Sequence, residues 1–403
     1  MSTTRRSFLA AGAAAPFVWA ASKTDSKYKI LGEGEHRYEC IHDWGELPSN
    51  IKYGCTHSVC EDSQGHIYVH HTVYATSQSP DSVVVFDNKG KFVRSWGGMF
   101  RGGAHGMHLS KEGKTEYLYL CDEKHGIVTK RTLKGEEVWT MGYPQESPIY
   151  HRGAWRNHEP GGVNEGPQPV GLNFRPTNFA IAPNLDFWVG DGYGSSYMFH
   201  FTQASSTSLP KLVKTFGGPP ARSPGANQAQ GGGGGRGNAG GRGAGRGAAA
   251  GPPPVGQAGV PRDVPIESMN TPHGNMIDLR DPSNPVQLVA DRSNNRIVRY
   301  KLDDTPIDVI AGTKSPCNFD TYKDTVVVPD LQARVTLYDK NNKIILHLGE
   351  PTVPNPPRTT EDRSSFIAGQ FVAPHGAIFD QAGNIFVVEF VEIGRVTKLR
   401  KVA

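Results

Sequence analysis

Residues 271–312, TPHGNMIDLRDPSNPVQLVADRSNNRIVRYKLDDTPIDVIAG, hold one complete copy of a unit that the chain repeats. The copy opens on Pro-His-Gly and an apolar segment, and after a polar turn the apolar residues 288–290 lead to Asp291. A third segment around Ile297 and a fourth ending at Gly312 follow. Short apolar segments with alternating positions, separated by polar turns, are typical of antiparallel β-strands. The unit is therefore predicted to be a four-stranded sheet.

The same order of segments recurs through most of the chain, with a period of about 40 residues that is typical of propeller blades. The other copies begin at His57, His105, Asn178, Asn318 and His375. The sixth copy stops before its fourth strand, and residues 38–45 look like the fourth strands elsewhere. A ring closed by that N-terminal strand has no open sheet edge. We therefore predict an all-β fold over residues 28–403, a six-bladed β-propeller.

Two segments interrupt the repeat. Residues 143–172 form a loop rich in Pro and Gly, and residues 219–262 are rich in Gly, Arg and Pro. The second stretch has too few apolar residues to order itself and is predicted to be disordered. Both connect an outer strand to the next inner strand, so we expect them at the mouth of the ring. Arg-Gly tracts can bind RNA, but a tolerated insertion is the expected explanation here.

Composition limits the possible partners. The 403 residues carry 43 Lys and Arg against 39 Asp and Glu, and several of the arginines lie in the Gly-rich insert. This balance gives no support to nucleic-acid binding. The five cysteines are too few and too scattered for a disulfide scaffold. Cys55 and Cys60 could pair in an oxidising compartment, but buried free thiols are expected.

The N-terminus has the pattern of an export signal. Arg5-Arg6 precedes an alanine-rich apolar run that ends near Ala21. A twin arginine, a short apolar region and small residues at a cleavage site predict a signal over residues 1–27 that is read by the twin-arginine translocase. The run is too short for a membrane span. We expect a periplasmic or secreted protein that is not integral to the membrane.

Three histidines share one position in alternate units. His105, His273 and His375 each precede a glycine at the start of the inner strand of units two, four and six. Alternate blades of a six-fold ring are related by roughly 120°, so these side chains can meet near the axis. Zinc accepts three imidazole nitrogens at about 2.0–2.1 Å and keeps a fourth position open in catalytic sites. The triad therefore predicts a metal site, whereas at His57, Asn178 and Asn318 a strand cap is expected.

A tyrosine and a series of acidic residues lie toward the same face. The acidic residues recur at the end of the second strand, which favours a structural role in the turns; they are Asp122, Asp191, Asp291, Asp330 and Glu389. Tyr193 follows in the loop of unit three. A tyrosine beside a metal can act as a general base when the cation lowers its pKa. A surface aromatic residue in a turn is the alternative.

The six units resemble the NHL-repeat propellers, and within them the pattern is similar to peptidyl-α-hydroxyglycine α-amidating lyase. The match rests on the three histidine-glycine steps and on Pro176-Thr177-Asn178 followed by Asp191-Gly192-Tyr193. It covers nearly all of residues 28–403 except the two inserts. The resemblance implies zinc held by the three histidines and a catalytic role for Tyr193.

The chain departs from that family at several positions. The family's catalytic arginine ends the second strand of the first blade, where this chain has His71. Arg152, in Tyr-His-Arg-Gly, is similar to the family's local motif but lies in a later loop. Gly376 stands where the family has a calcium-binding aspartate, and Gly194 where it has a cysteine. Zinc is therefore a stronger expectation than calcium.

These observations predict a zinc-dependent lyase acting on a small molecule or peptide. Zinc would polarise a substrate hydroxyl and Tyr193 would take its proton, with His71 or Arg152 holding negative charge. One alternative is a non-catalytic propeller scaffold that binds a peptide or glycan. Another is a metal-dependent lactone or ester hydrolase, whose sites usually also need carboxylate and Asn ligands.

Overall fold

The computed structural model describes residues 27–150, 174–220 and 261–402. Within these ranges the chain forms a ring of six antiparallel sheets, five of them four-stranded and one five-stranded. This confirms the predicted six-bladed β-propeller. All of the predicted export segment except Lys27, most of both inserts, and Arg152 lie outside the described residues.

The first half of the ring contains three blades. The chain begins with β1 (Lys29–Leu31) and β2 (Tyr38–Ile41). Blade one comprises β3 (Thr56–Glu61), β4 (Ile67–His71), β5 (Val83–Phe86) and β6 (Phe92–Trp96). Blade two comprises β7 (Ala104–Glu112), β8 (Thr115–Asp122), β9 (Ile127–Thr132) and β10 (Glu137–Met141). Blade three comprises β11 (Phe179–Ile181), β12 (Phe187–Gly190), β13 (Tyr197–Thr202) and β14 (Lys211–Gly217).

The second half contains the other three blades. Blade four comprises β15 (Pro272–Asp278), β16 (Val286–Asp291), β17 (Arg296–Lys301) and β18 (Pro306–Ile310). Blade five comprises β19 (Asp320–Tyr322), β20 (Thr325–Asp330), β21 (Arg334–Tyr338) and β22 (Ile344–Leu348). Blade six comprises β23 (Pro374–Phe379), β24 (Ile385–Glu389) and β25 (Arg395–Lys401). Single 3₁₀ turns lie at Gly98–Phe100, Arg292–Asn294 and Arg363–Ser365.

The N-terminal strand closes the ring, as predicted. β2 pairs antiparallel with β25, from Tyr38 opposite Lys401 to Ile41 opposite Lys398. β1 then adds to the outer edge of β2, which gives blade six its fifth strand. The closing strand alternates in burial, with Tyr38 and Cys40 buried, and so it packs as part of the sheet.

The hydrophobic core is divided among the blade interfaces. Each of the six clusters of buried apolar side chains takes residues from two neighbouring blades. In the cluster between blades two and three, Tyr119 and Trp139 pack against Phe187 with ring centroids 5.8 Å apart in both pairs. Because buried apolar side chains pack at all six blade interfaces, each blade is held in place against its two neighbours.

The repeated acidic residues hold the entry to the inner strands. Four of them accept a backbone N–H from the segment that leads into the inner strand of their own blade. These donors are Arg175 for Asp191 (2.7 Å), Asn270 for Asp291 (2.7 Å), Lys314 for Asp330 (2.9 Å) and Val372 for Glu389 (2.7 Å). Asp122 accepts from the N–H of His125. This geometry agrees with the structural role expected for the series.

A buried ion pair in blade six gives a stability prediction. Arg395 is 1% exposed, pairs with Glu389 and donates to the carbonyl of Gln370 at 2.9 Å. Removing one partner of such a pair leaves an uncompensated charge, so Arg395→Met should lower the free energy of unfolding by about 3–5 kcal/mol. On the same strand Arg400 pairs with Glu39 at the surface, and Arg400→Met should cost about 0–1 kcal/mol. Urea unfolding measures both, and equal losses would contradict the prediction.

Candidate metal centre

The histidines of blades two, four and six meet near the axis. Each lies where the pairing of the two innermost strands shifts register, in β7, β15 and β23. Such a bulge re-aims a side chain that would otherwise follow the alternation of the strand. The ring centroids are 4.8 Å apart for His105 and His273, 4.6 Å for His273 and His375, and 4.9 Å for His105 and His375. All three side chains are buried.

The δ nitrogen of each of these rings bonds to the main chain of a neighbouring blade. Nδ1 lies 2.6 Å from the Thr177 carbonyl for His105, 2.7 Å from that of Cys317 for His273 and 2.9 Å from that of His57 for His375. A carbonyl oxygen only accepts, so Nδ1 carries the proton and Nε2 presents a lone pair. Metal-binding histidines are usually oriented by a second-shell contact of this kind.

The glycine after each histidine makes these contacts possible. A Cβ at Gly106 would lie 2.3 Å from the carbonyl oxygen of Thr177, and one at Gly274 would lie 2.5 Å from that of Cys317. At Gly376 it would lie 2.8 Å from the carbonyl oxygen of His57. These are the carbonyls that accept from the histidines, so only glycine lets the two inner strands approach closely enough. The glycine of each His-Gly step therefore allows the histidine ring to reach the carbonyl that orients it.

Tyr193 lies beside two of the rings. Its hydroxyl oxygen is 3.1 Å from Nε2 of His105 and 3.0 Å from Nε2 of His273. Nη1 of Arg292 donates to the same oxygen at 3.0 Å. The phenol has a single proton to donate, so it can satisfy only one of the two lone pairs.

The third ring adds a further unfilled lone pair. Nε2 of His375 is buried and has no hydrogen-bond partner among the described residues. One phenolic proton is thus available to the Nε2 atoms of His105 and His273, and none of the described hydrogen bonds reaches that of His375, although buried acceptors are normally paired. A cation is the group that such a donor set fits, and the residues present thus suit a bound metal.

The protonation states of the three histidines also suit a bound metal. Burial lowers the pKa of His105 and of His273 well below the usual range, and the neighbouring His375 and Arg292 lower both further. Burial lowers the pKa of His375 to about 3. The rings are therefore neutral at pH 7, as metal ligands must be. Burial raises the pKa of Tyr193, and the charge of Arg292 opposes that rise.

Within the described residues, two compact sets of ligand atoms share this region. In each set the atoms lie within 4.8 Å of one another; the sets are His57, His105 and His375, and His273, Cys317 and His375. The predicted triad is divided between them, with His375 common to both and Tyr193 Oη between His105 and His273. Five groups around the axis can therefore contribute ligands, and four of them are imidazoles.

Asn178 of blade three and Asn318 of blade five have a structural role. Oδ1 of Asn178 accepts from the N–H of Phe179 at 2.9 Å, and its Nδ2 donates to Oδ1 of Asn318 at 2.9 Å. Asn178 thus caps its inner strand, as expected, and the pair ties two odd-numbered blades together across the axis.

His71 and Arg152 were also predicted to take part in the chemistry. His71 ends β4, where its Nδ1 accepts from the N–H of Val73 at 3.1 Å and its ring packs on Tyr53 at 4.8 Å. In the part of the chain that the structure describes, His71 makes no hydrogen bond to the triad or to Tyr193. Arg152 lies outside the described residues.

Arg292 also contacts Tyr193, and the sequence gives little indication of it. It directly follows β16 and begins a 3₁₀ turn, which carries its guanidinium over the Tyr193 ring at 5.1 Å. A second arginine, Arg175, lies 5.4 Å from the same ring and is held by Glu123. The only signal in the sequence is an arginine directly after the acidic residue of unit four.

Comparison with known proteins places the chain by fold alone. No family model and no curated protein matches it. Similar solved structures include a streptogramin B lyase, with TM-score 0.48, 10% identity and coverage of 91% of this chain and 99% of that chain. Another is a gluconolactonase from Xanthomonas campestris, with TM-score 0.49, 10% identity and coverage of 93% and 96%.

No helix among the described residues reaches the length and hydropathy of a membrane span. The five cysteines are free thiols in the structure, and four of them are buried. The Cys55–Cys60 pairing that the sequence left open does not form there.

Proposed function

We propose that this protein is a metal-dependent lyase that cleaves carbinols, similar in chemistry to the amidating lyases. The observation that carries the proposal is the set of three Nε2 lone pairs of the triad, of which two contact the single hydroxyl of Tyr193 and the third, on His375, has no hydrogen-bond partner among the described residues. His105, His273 and His375 would hold the metal, and neutral imidazoles suit zinc. Calcium is a poor match because it takes oxygen ligands.

A bound zinc ion would supply Lewis-acid polarisation of the substrate hydroxyl. Tyr193 is the group placed to exchange a proton with that hydroxyl, because its oxygen lies within 3.1 Å of two of the imidazoles. Arg292 donates to the same oxygen and favours the phenolate once the proton has left. The rigid inner strands keep these groups in place between turnovers.

The reaction proposed is the breakdown of an N-acyl carbinolamine. Tyr193 would act as the phenolate, which a bound cation and Arg292 favour; the hydroxyl loses its proton to this phenolate, the carbon–oxygen bond becomes a carbonyl, and the carbon–nitrogen bond breaks. The released amide nitrogen takes up a proton, which Tyr193 can return. Atoms and electrons balance without an oxidant or a second substrate, so the site needs no redox cofactor.

We further propose that the chain is exported in folded form by the twin-arginine translocase.

Two measurements on the purified full-length chain test the function. Metal analysis should find about one zinc per chain, and peptides that end in α-hydroxyglycine should be split to the amide and glyoxylate. Chelation should abolish the cleavage and added zinc should restore it. A protein with bound metal and no activity on carbinolamides would support the binding-propeller alternative. A protein that takes up no metal would refute the proposed centre.

A further inference from the structure

His57 is buried beside the histidine cluster with nothing to bond to. It is 5% exposed, and neither of its ring nitrogens has a hydrogen-bond partner among the described residues. A buried polar group without a partner destabilises the fold. The Asn178 amide in blade three is satisfied by contrast. His57 is therefore not explained as the strand cap that its sequence position predicts.

The ring of His57 belongs to the same group of imidazoles. Its centroid lies 4.6 Å from that of His375 and 4.9 Å from that of His105. Its ligand atom lies within 4.8 Å of theirs. A third ring, that of Phe390, lies 5.2 Å away. Two imidazoles of the triad therefore lie next to His57.

The backbone presents His57 in the same way as the other three. The pairing of β3 with β4 shifts register between Thr56 and Ser58, which leaves His57 as the extra residue of a bulge. His105, His273 and His375 lie at bulges in the equivalent strands. Bulges of this kind are built into a fold to aim a side chain. Four inner strands therefore use one device to direct an imidazole to the axis.

We infer that His57 is a fourth imidazole ligand of the metal centre. The inference rests on the proposed metal site and adds a residue that the predicted triad does not contain. Four neutral nitrogen donors suit zinc, copper, iron or nickel and do not suit magnesium or calcium. With four protein ligands, the substrate hydroxyl of the proposed reaction would be a fifth ligand, a coordination number that catalytic zinc can adopt in the transition state.

Cobalt(II) is the probe for this test because its visible absorption reports the ligand set. The full-length metal-free protein is titrated with cobalt, and the wild type is compared with His57→Ala. The variant should bind cobalt at least tenfold more weakly, with an altered visible spectrum. His108→Ala is the matched control: His108 is a half-buried histidine on β7, three residues beyond His105, and its loss should change neither quantity.

The outcomes separate this inference from the proposed function. If the wild type binds no cobalt, both fail. If wild type and His57→Ala bind cobalt with the same dissociation constant and spectrum, the fourth ligand is refuted and the three-histidine centre stands. If His57→Ala does not fold, as judged by thermal unfolding of the metal-free protein, the same comparison is made with His57→Gln. Weaker binding and a changed spectrum in that variant support the inference, and unchanged binding overturns it.

Discussion

Tyr193→Phe should lower kcat for carbinolamide cleavage by about 10²–10⁴-fold, the usual contribution of a positioned acid–base group. The substitution removes only the hydroxyl, which is the atom that contacts His105, His273 and Arg292. Bound zinc should stay at the wild-type level because the imidazoles are retained. The measurement is steady-state kinetics together with metal analysis of the same preparation.

A second tyrosine provides the control for this variant. Tyr197 lies four residues further on, at the start of β13, and makes no contact with the triad among the described residues. Tyr197→Phe should leave kcat within about twofold of the wild type. Loss of metal in Tyr193→Phe, or full activity with metal bound, would each show that the phenol does not have the role proposed here.

Replacing a histidine of the triad with alanine should abolish metal binding and activity together. Each of His105, His273 and His375 supplies a lone pair oriented by a main-chain carbonyl, and an alanine supplies none. Lewis-acid stabilisation is worth several kcal/mol, and each 1.36 kcal/mol is a factor of ten in rate. We therefore expect kcat/KM to fall by at least about 10³-fold.

Stability distinguishes a lost ligand from a damaged fold. Each imidazole is buried and donates to a main-chain carbonyl, so each alanine variant should be somewhat less stable than the metal-free wild type, and the quantity to compare is the shift of the urea midpoint that zinc causes in each protein. Added zinc should raise the midpoint of the wild type, because a ligand that binds only the folded state stabilises it. A variant that zinc stabilises as much as it does the wild type would show that the replaced histidine is not a ligand.

The repeat was enough to predict the architecture because all six copies carry the same pattern of strands. Six copies of the same strand order, each with alternating apolar positions, specify the blade, and the missing fourth strand of the last copy specifies where the ring closes. β1 was not predicted because a three-residue strand is too short to show an alternation.

The alternating apolar pattern does not show that His57 lies with the other three histidines. A bulge adds one residue without disturbing the pattern on either side, so sequence register aligns His57 with Asn178 and Asn318. In the structure the carbonyl of His57 accepts a hydrogen bond from a histidine. The equivalent acceptors in blades three and five are the carbonyls of Thr177 and Cys317, which stand one position before Asn178 and Asn318. The sequence therefore showed three of the four converging imidazoles as a set and assigned the fourth to a strand cap.

Arg292 was missed for a related reason. Its position depends on a 3₁₀ turn at the end of β16, and a single turn leaves no periodicity in the sequence. The resemblance to the amidating lyases implies an arginine in the first blade, where this chain has His71. In the structure the guanidinium within 3.0 Å of the Tyr193 hydroxyl comes from the fourth blade.

The closing contact between β2 and β25 has a consequence for how the chain is made. Residues 38–41 are synthesised long before their partners at 398–401, which lie at the far end of the propeller repeat. Until then blade six has an unpaired edge, and contacts that span so much sequence form slowly. A chain cut short before β25 would retain five complete sheets and still expose β2. Closure of the ring thus waits for β25, a seven-residue strand, and couples the folding of the first strands to the synthesis of the sixth blade.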